Sequence, residues 1–218
     1  MAVPRETAPP PPARPRPLAA ELVALVRNPV HVYPRLYERH NLAAILFFSA
    51  VSGIYVAYAG AERLHLGDRA GFLPTAIGVA LVGAALGIIA LYFAGGLLSW
   101  SAETMRGETE TERMLAVFGY ATWPFLPLLA ILVPLELAFY GTALFSELRP
   151  EPPGFLPPLV TVLELATIGL WLWLMVRGTQ WAAALSGVRA AETVALSALE
   201  IAVIGVLLVV ILFVSFMI

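Results

Sequence analysis

Apolar residues fill five long runs along this chain, residues 41–60, 72–100, 114–146, 156–176 and 194–218, and most of the charge is confined to the segments between them. Each run is at least as long as the ~20 residues an α-helix needs to cross a hydrocarbon core ~30 Å thick. A helix on the surface of a soluble protein is apolar along one stripe only. The pattern therefore predicts an all-α, polytopic membrane bundle with five transmembrane helices.

Ahead of the first run, Leu18, Leu22, Leu25 and Val26 recur at helical spacing with Glu21 and Arg27 between them, which predicts a short amphipathic helix lying in the membrane interface. Pro29 is expected to end it, and Pro34 to open a second short helix that sets Tyr33, Arg35, Tyr37 and Arg39 in the headgroup layer. Residues 1–17 carry seven prolines and predict a disordered, partly polyproline II tail, whose PxxP spacings at Pro9–Pro12 and Pro12–Pro15 follow from that composition. No apolar stretch of signal-peptide length precedes Leu18, so the first span is expected to act as an uncleaved anchor. The expected division is a Pro-rich cytoplasmic tail over 1–17, an interfacial segment over 18–40 and a five-span membrane domain over 41–218.

The third run is too long for a straight crossing: its 33 residues would extend ~50 Å as a helix. Pro124, Pro127 and Pro134 predict a break or kink there, with the prolines facing neighbouring spans that repair the lost backbone contacts. Thr109 and Glu112 have capping-box spacing just before this run. Small residues recur every four positions at Ser49, Gly53 and Ala57 on the first span, and at Ala76, Ala80 and Ala84 and at Gly83 and Gly87 on the second. Such faces allow close backbone approach and are expected to pack within the chain, with a homo-oligomer contact as their other use.

Charge adds orientation. All thirteen Lys or Arg positions are Arg, and summed over alternate sides of the five spans they divide ten against three, or seven against three without the distant tail. The positive-inside rule then puts the N-terminus in the cytoplasm and the C-terminus outside, in the cell membrane, with Trp100, Trp123, Trp173 and Trp181 near the cytoplasmic interface. A net charge of -2 without a basic patch excludes a nucleic-acid partner, and the absence of Cys excludes disulfides and thiol chemistry. His31, His40 and His65 lack ligand spacing, and nothing in the sequence requires a metal or a cofactor.

The residues that resist a purely apolar account are Glu136, Glu164 and Glu200, each inside a run. A carboxyl at membrane depth is costly and should face protein or water, sometimes along an ion or proton path. Glu200 is expected to pair with Arg177, which closes the fourth span on the same side. Glu136 and Glu164 lie at similar depth, ~10 Å from the outer ends of the third and fourth spans, without an evident basic partner; they are expected to be protonated or interfacially solvated, or to share a proton or cation site. No HExxH, GxSxG or Ser/Lys arrangement lies within the spans, which argues against an enzyme. Glu103, Glu108, Glu110 and Glu112, flanked by Arg106 and Arg113, form an acidic loop that is either a solvated charge run or a docking surface for a basic partner.

Three segments resemble a known family: Asn28–Pro29 with YPRLYERH before the first span, MRGETETERMLAVFGYATWP leading into the third, and LWLWLMVRGTQWAAALSGVRAAETVAL between the fourth and fifth. They are similar to the bacterial branch of the Yip family, whose eukaryotic members are Ypt/Rab-GTPase-interacting membrane proteins. Gly119, Tyr120 and Pro124 of GYATWP carry the most specific part of the likeness. The resemblance implies five spans, an interrupted central helix and a non-enzymatic scaffold or adaptor in membrane organisation or trafficking, acting in the bilayer through an unknown membrane or cytoplasmic partner. The acidic DLYGP-like segment of the trafficking members has no counterpart here, which leaves Rab binding outside the expectation. The alternative function is a small transporter or channel component built around the broken helix and the buried carboxylates.

Overall fold

The computed structural model describes residues 17–39, 41–108 and 110–217, with side chains to residue 207. The tail over 1–16, His40, Thr109 and Ile218, and the expectations that rest on them, lie outside the described residues. Among those residues the chain is all α-helical, apart from a 3-10 turn at Gly141–Ala143, and five segments are long and apolar enough to cross a membrane: Leu42–Arg63, Phe72–Thr104, Thr111–Ala143, Leu156–Ala182 and Gly187–Leu207. It is a multi-pass membrane bundle, in contact with lipid along exposed Leu, Ile, Val and Phe side chains.

Two short helices, α1 (Leu18–Arg27) and α2 (Pro29–Glu38), precede the first span. Asn28 leaves helical geometry at φ -147°, and Pro29 opens α2 at its first position, where its missing N–H costs nothing. Pro34 therefore lies inside α2 rather than at its start. Nor is Tyr33 in the headgroup layer: it is 0% exposed, and its hydroxyl donates to the Leu174 carbonyl at 3.2 Å. Burial pushes the Tyr33 phenol pKa up, so the hydroxyl keeps its proton for that bond. Glu21, 2% exposed, meets Arg35 at 3.2 Å and Arg39 at 3.5 Å. The two helices thus form a hairpin whose Leu22, Leu25 and Leu36 join the core of the bundle.

The first and second spans, α3 (Leu42–Arg63) and α5 (Phe72–Thr104), form the closest seam. Asn41 caps α3 by accepting from the Ala44 N–H at 3.1 Å. A Cβ added at Gly53 would lie 2.1 Å from the Gly83 carbonyl oxygen, and one at Gly87 would lie 2.0 Å from that of Ser49, so the small faces meet each other backbone to backbone. Ala80 of the other small row is exposed, and with Ala76 it lines an apolar groove of ≈ 440 Å³ beside the third span. At the end away from the hairpin, the Gly67 N–H donates to the Phe145 carbonyl at 2.8 Å and Asp68 accepts from Ser146 and from the Glu147 N–H, tying together the loops at that end.

The third span is broken as its prolines require. It consists of α6 (Thr111–Ala121), a turn at residues 122–124 and α7 (Phe125–Tyr140). The residue that caps α6 is Glu110, one position beyond the one that capping-box spacing suggests. Only Pro124 among the three prolines is buried; Pro127 and Pro134 face outward. Pro127 occupies the first turn of α7, where no intrahelical bond is lost, and so needs no neighbouring helix to compensate. The last spans are α8 (Leu156–Ala182) and α9 (Gly187–Met217).

Candidate functional site

One face of α3 carries Tyr55, Tyr58 and Glu62 at spacings of three and four residues, a row ~10 Å long that runs inward from the loop end. Each group meets a different part of the chain. The Tyr55 hydroxyl donates to Glu164 of α8 at 2.6 Å, the Tyr58 hydroxyl donates to Glu136 of α7, and Glu62 pairs with Arg149 of the loop between α7 and α8. The Arg149 guanidinium also lies over the Tyr140 ring, 5.1 Å from its centre. Burial works against the Arg149 charge, but the hydrogen bond and charge of Glu62 outweigh it and hold the pKa above the ordinary arginine value.

Glu136 is 4% exposed, whereas Glu164 is half-buried. Aromatic rings wall both pairs: Phe125 stands 5.3 Å from Tyr55 between ring centres, and Phe145 stands 5.6 Å from Tyr58. A phenol is a suitable partner for a carboxyl at this depth because it supplies a proton donor without adding a second charge to be desolvated. The two glutamates therefore reach one layered site without bonding to each other. Sequence reasoning missed Tyr55 and Tyr58; their spacing with Glu62 on one helical face was the available signal.

Glu200 and Arg177 do not pair. Glu200 accepts from the Ser101 hydroxyl of α5 at 2.9 Å, while Arg177 is exposed and donates to Gln180, one turn along its own helix, at 3.0 Å. The reason is azimuthal: α8 buries Leu174, Met175, Gly178, Thr179 and Ala182 on one stripe, and Arg177 falls on the other side.

Gly119, Tyr120 and Pro124 come together at the bend of the third span, in the packing cluster that receives the hairpin. A Cβ on Gly119 would lie 2.4 Å from the Ile45 side chain of α3, and the Thr122 hydroxyl donates back to the Gly119 carbonyl at 2.7 Å, closing the bend. Tyr120 is fully buried beside Phe48, and its hydroxyl finds no partner among the described residues. On the facing helix, a Cβ at Gly178 would strike the Tyr33 ring, which stacks on Trp181 at 5.9 Å and 6°. Among the described residues, no group of three or more His, Asp or Glu side chains is gathered closely enough to hold a metal ion.

The Yip1 domain family matches residues 23–218, from inside α1 to the last residue of the sequence. The chain belongs to the Yip family. In this Yip protein the matched region takes in most of the hairpin as well as all five spans, so the docked Tyr33 lies within the family domain. No curated protein and no solved structure matches the chain.

Proposed function

We propose that this Yip-family chain is a non-enzymatic scaffold or adaptor of the family's bacterial branch, set in the cytoplasmic membrane and acting through a membrane or cytoplasmic protein partner. In this reading the N-terminus and the hairpin lie on the cytoplasmic side and the C-terminus outside, with a cytoplasmic tail over 1–17, the hairpin segment over 18–40 and the membrane domain over 41–218. The observation that carries it is the separation of Glu136 and Glu164 onto two different tyrosines of one helix. Carboxyls bound in this way fasten α7 and α8 to α3, which is a structural use.

Crosslinking in native membranes followed by partner identification tests it, with the Glu136→Gln plus Glu164→Gln protein alongside. A scaffold keeps its fold, abundance and partner set in that double variant, because an amide carbonyl still accepts from each phenol. The transporter or channel reading is favoured by the reach of the Tyr55–Tyr58–Glu62 row inward from the loop end. Ion flux through wild-type liposomes that disappears in the double variant would establish that alternative and overturn the scaffold. Reporter fusions after Arg106 and Arg189 should read cytoplasmic, and those at Arg69, Pro152 and Ile218 external; the reverse pattern overturns the orientation.

A further inference from the structure

A cavity of ≈ 300 Å³ opens beside the hairpin where α2, α3, α5 and α6 meet. Its depth follows from the α3–α5 seam. Gly53 lies against Gly83 and Ser49 against Gly87, so the antiparallel register places Leu91 level with Ile45, one turn inside the start of α3. The cavity therefore straddles the boundary between lipid and headgroups. Its inner wall is apolar, formed by Leu36, Ile45, Leu91 and Leu115, and its rim carries Tyr37, Asn41, Tyr92 and Glu112. Leu42 and Tyr92 on the rim are both exposed, so the mouth faces the outside of the bundle.

The rim has a net negative character. Glu112 is exposed, and no ion pair engages its carboxylate among the described residues. Arg113 lies 5.9 Å from the centre of the Tyr37 ring, but its guanidinium is taken by Glu110 at 2.8 Å. Asn41 spends its carbonyl oxygen on the α3 cap, so its amide nitrogen is the donor it has left for an anionic group. From Tyr92 toward the membrane interior, Ile89, Leu86 and Val82 recur at steps of three and four residues on α5 and are all exposed, an apolar track leading from the mouth along one helix face.

We propose that this cavity binds an amine-bearing phospholipid, of which phosphatidylethanolamine has the fitting chemistry. The ammonium lies between the Glu112 carboxylate and the Tyr92 ring, a phosphate oxygen takes the Asn41 amide, and an acyl chain follows Ile89, Leu86 and Val82. A carboxylate selects a primary ammonium over a choline group because only the former brings N–H donors. The same carboxylate repels a purely anionic headgroup. The inference stands independently of the scaffold reading, since it needs only that the bundle lie in a bilayer.

The test is native mass spectrometry of the full chain in detergent, titrated separately with phosphatidylethanolamine, phosphatidylcholine and phosphatidylglycerol of identical acyl composition. Wild type should retain the ethanolamine lipid most strongly. Glu112→Gln, a change at an exposed position, should weaken that lipid about tenfold, to the level of the choline lipid. Tyr92→Leu should weaken both ammonium-bearing lipids about threefold and leave the glycerol lipid unchanged. Equal retention of the three lipids, retention of none, a preference for phosphatidylglycerol, or an unaltered preference in Glu112→Gln would each overturn the proposal.

Discussion

Helix α3 is held on its two sides by opposite physics. Toward α5 it presents Ser49, Gly53 and Ala57, and the helices meet through backbone atoms with almost no side chain between them. Toward α7 and α8 it presents Tyr58 and Tyr55, whose long side chains reach out to carboxyls. A seam made by removing side chains is rigid in space: nothing in it can move aside, so it tolerates no added atom. A seam made by hydrogen bonds is rigid in chemistry: it accepts an isostere of the right polarity and rejects an apolar group of the same size.

The largest expected effect follows from the steric seam. Gly53→Leu should cost more than ~3 kcal/mol, beyond the usual range for overpacking, because the obstructing atoms are the Gly83 and Gly87 backbone rather than a movable side chain. Loss of monodisperse protein on size exclusion, or a collapsed thermal midpoint, is the readout; a wild-type melt would refute the backbone contact. Gly119→Leu is expected to be milder, ~2 kcal/mol, since Ile45 Cγ2 can yield in part, and to exceed Ala116→Leu, whose position borders the cavity beside the hairpin. Reversal of that order in parallel melts would remove the physical basis of the GYATWP bend.

The polar seam should respond more weakly and in a graded way. Tyr58→Phe is expected to cost roughly 1 kcal/mol, because Glu136 then lacks its donor in a buried site, and Tyr55→Phe less, because Glu164 is half-buried. Glu136→Gln should be close to neutral alone, because its amide carbonyl still accepts from the phenol, whereas a double-mutant cycle of Tyr58→Phe with Glu136→Leu, which removes the acceptor, should return a coupling energy above error. Independent, additive effects would mean that the phenol does not serve the carboxyl.

The smallest effect concerns the loop end. The Asp68 carboxyl is held below its usual pKa by the hydrogen bond from Ser146 and then by that from the Glu147 N–H. Because the folded-state value is depressed, the stabilisation is fully present above the unfolded Asp pKa and is lost as pH falls through the folded one. Asp68→Asn should remove that acid-limb dependence and bring the neutral-pH stability slightly down, toward the value wild type has in acid, as pH-dependent melts would report. An identical acid limb in the variant would show that the two hydrogen bonds do not set it.

This contrast also explains what could be read without coordinates. The five crossings follow from run length, and the small faces from local spacing, since a Gly–x3–Ala row means close approach whichever partner it meets. The break at residues 122–124 follows from Pro124, which cannot donate a helical bond. The polar seam was only half legible: Glu136 and Glu164 stood out, but tyrosines within apolar runs are ordinary membrane aromatics until their azimuth relative to another helix is known. The expected Glu200–Arg177 pair failed for the same reason, since nearness to the same membrane face does not fix the direction in which two side chains point. Tyr33 likewise reads as an interfacial aromatic, and only Gly178 on α8, where even a methyl group would strike its ring, shows that a seat was made for it.

That seat has a consequence in time. Tyr33 and the carbonyl it binds on Leu174 are 141 residues apart in sequence. At synthesis rates of ~5–20 residues per second, roughly 7–30 s separate their emergence from the ribosome. During that interval the hairpin has been made but the α8 part of its binding surface has not, so Tyr33 must wait for the fourth span before its hydroxyl finds the carbonyl it binds. The first helices made are thus among the last to reach their native positions, and a chain halted after the third span would have inserted most of its bundle while leaving its own N-terminal segment unable to dock.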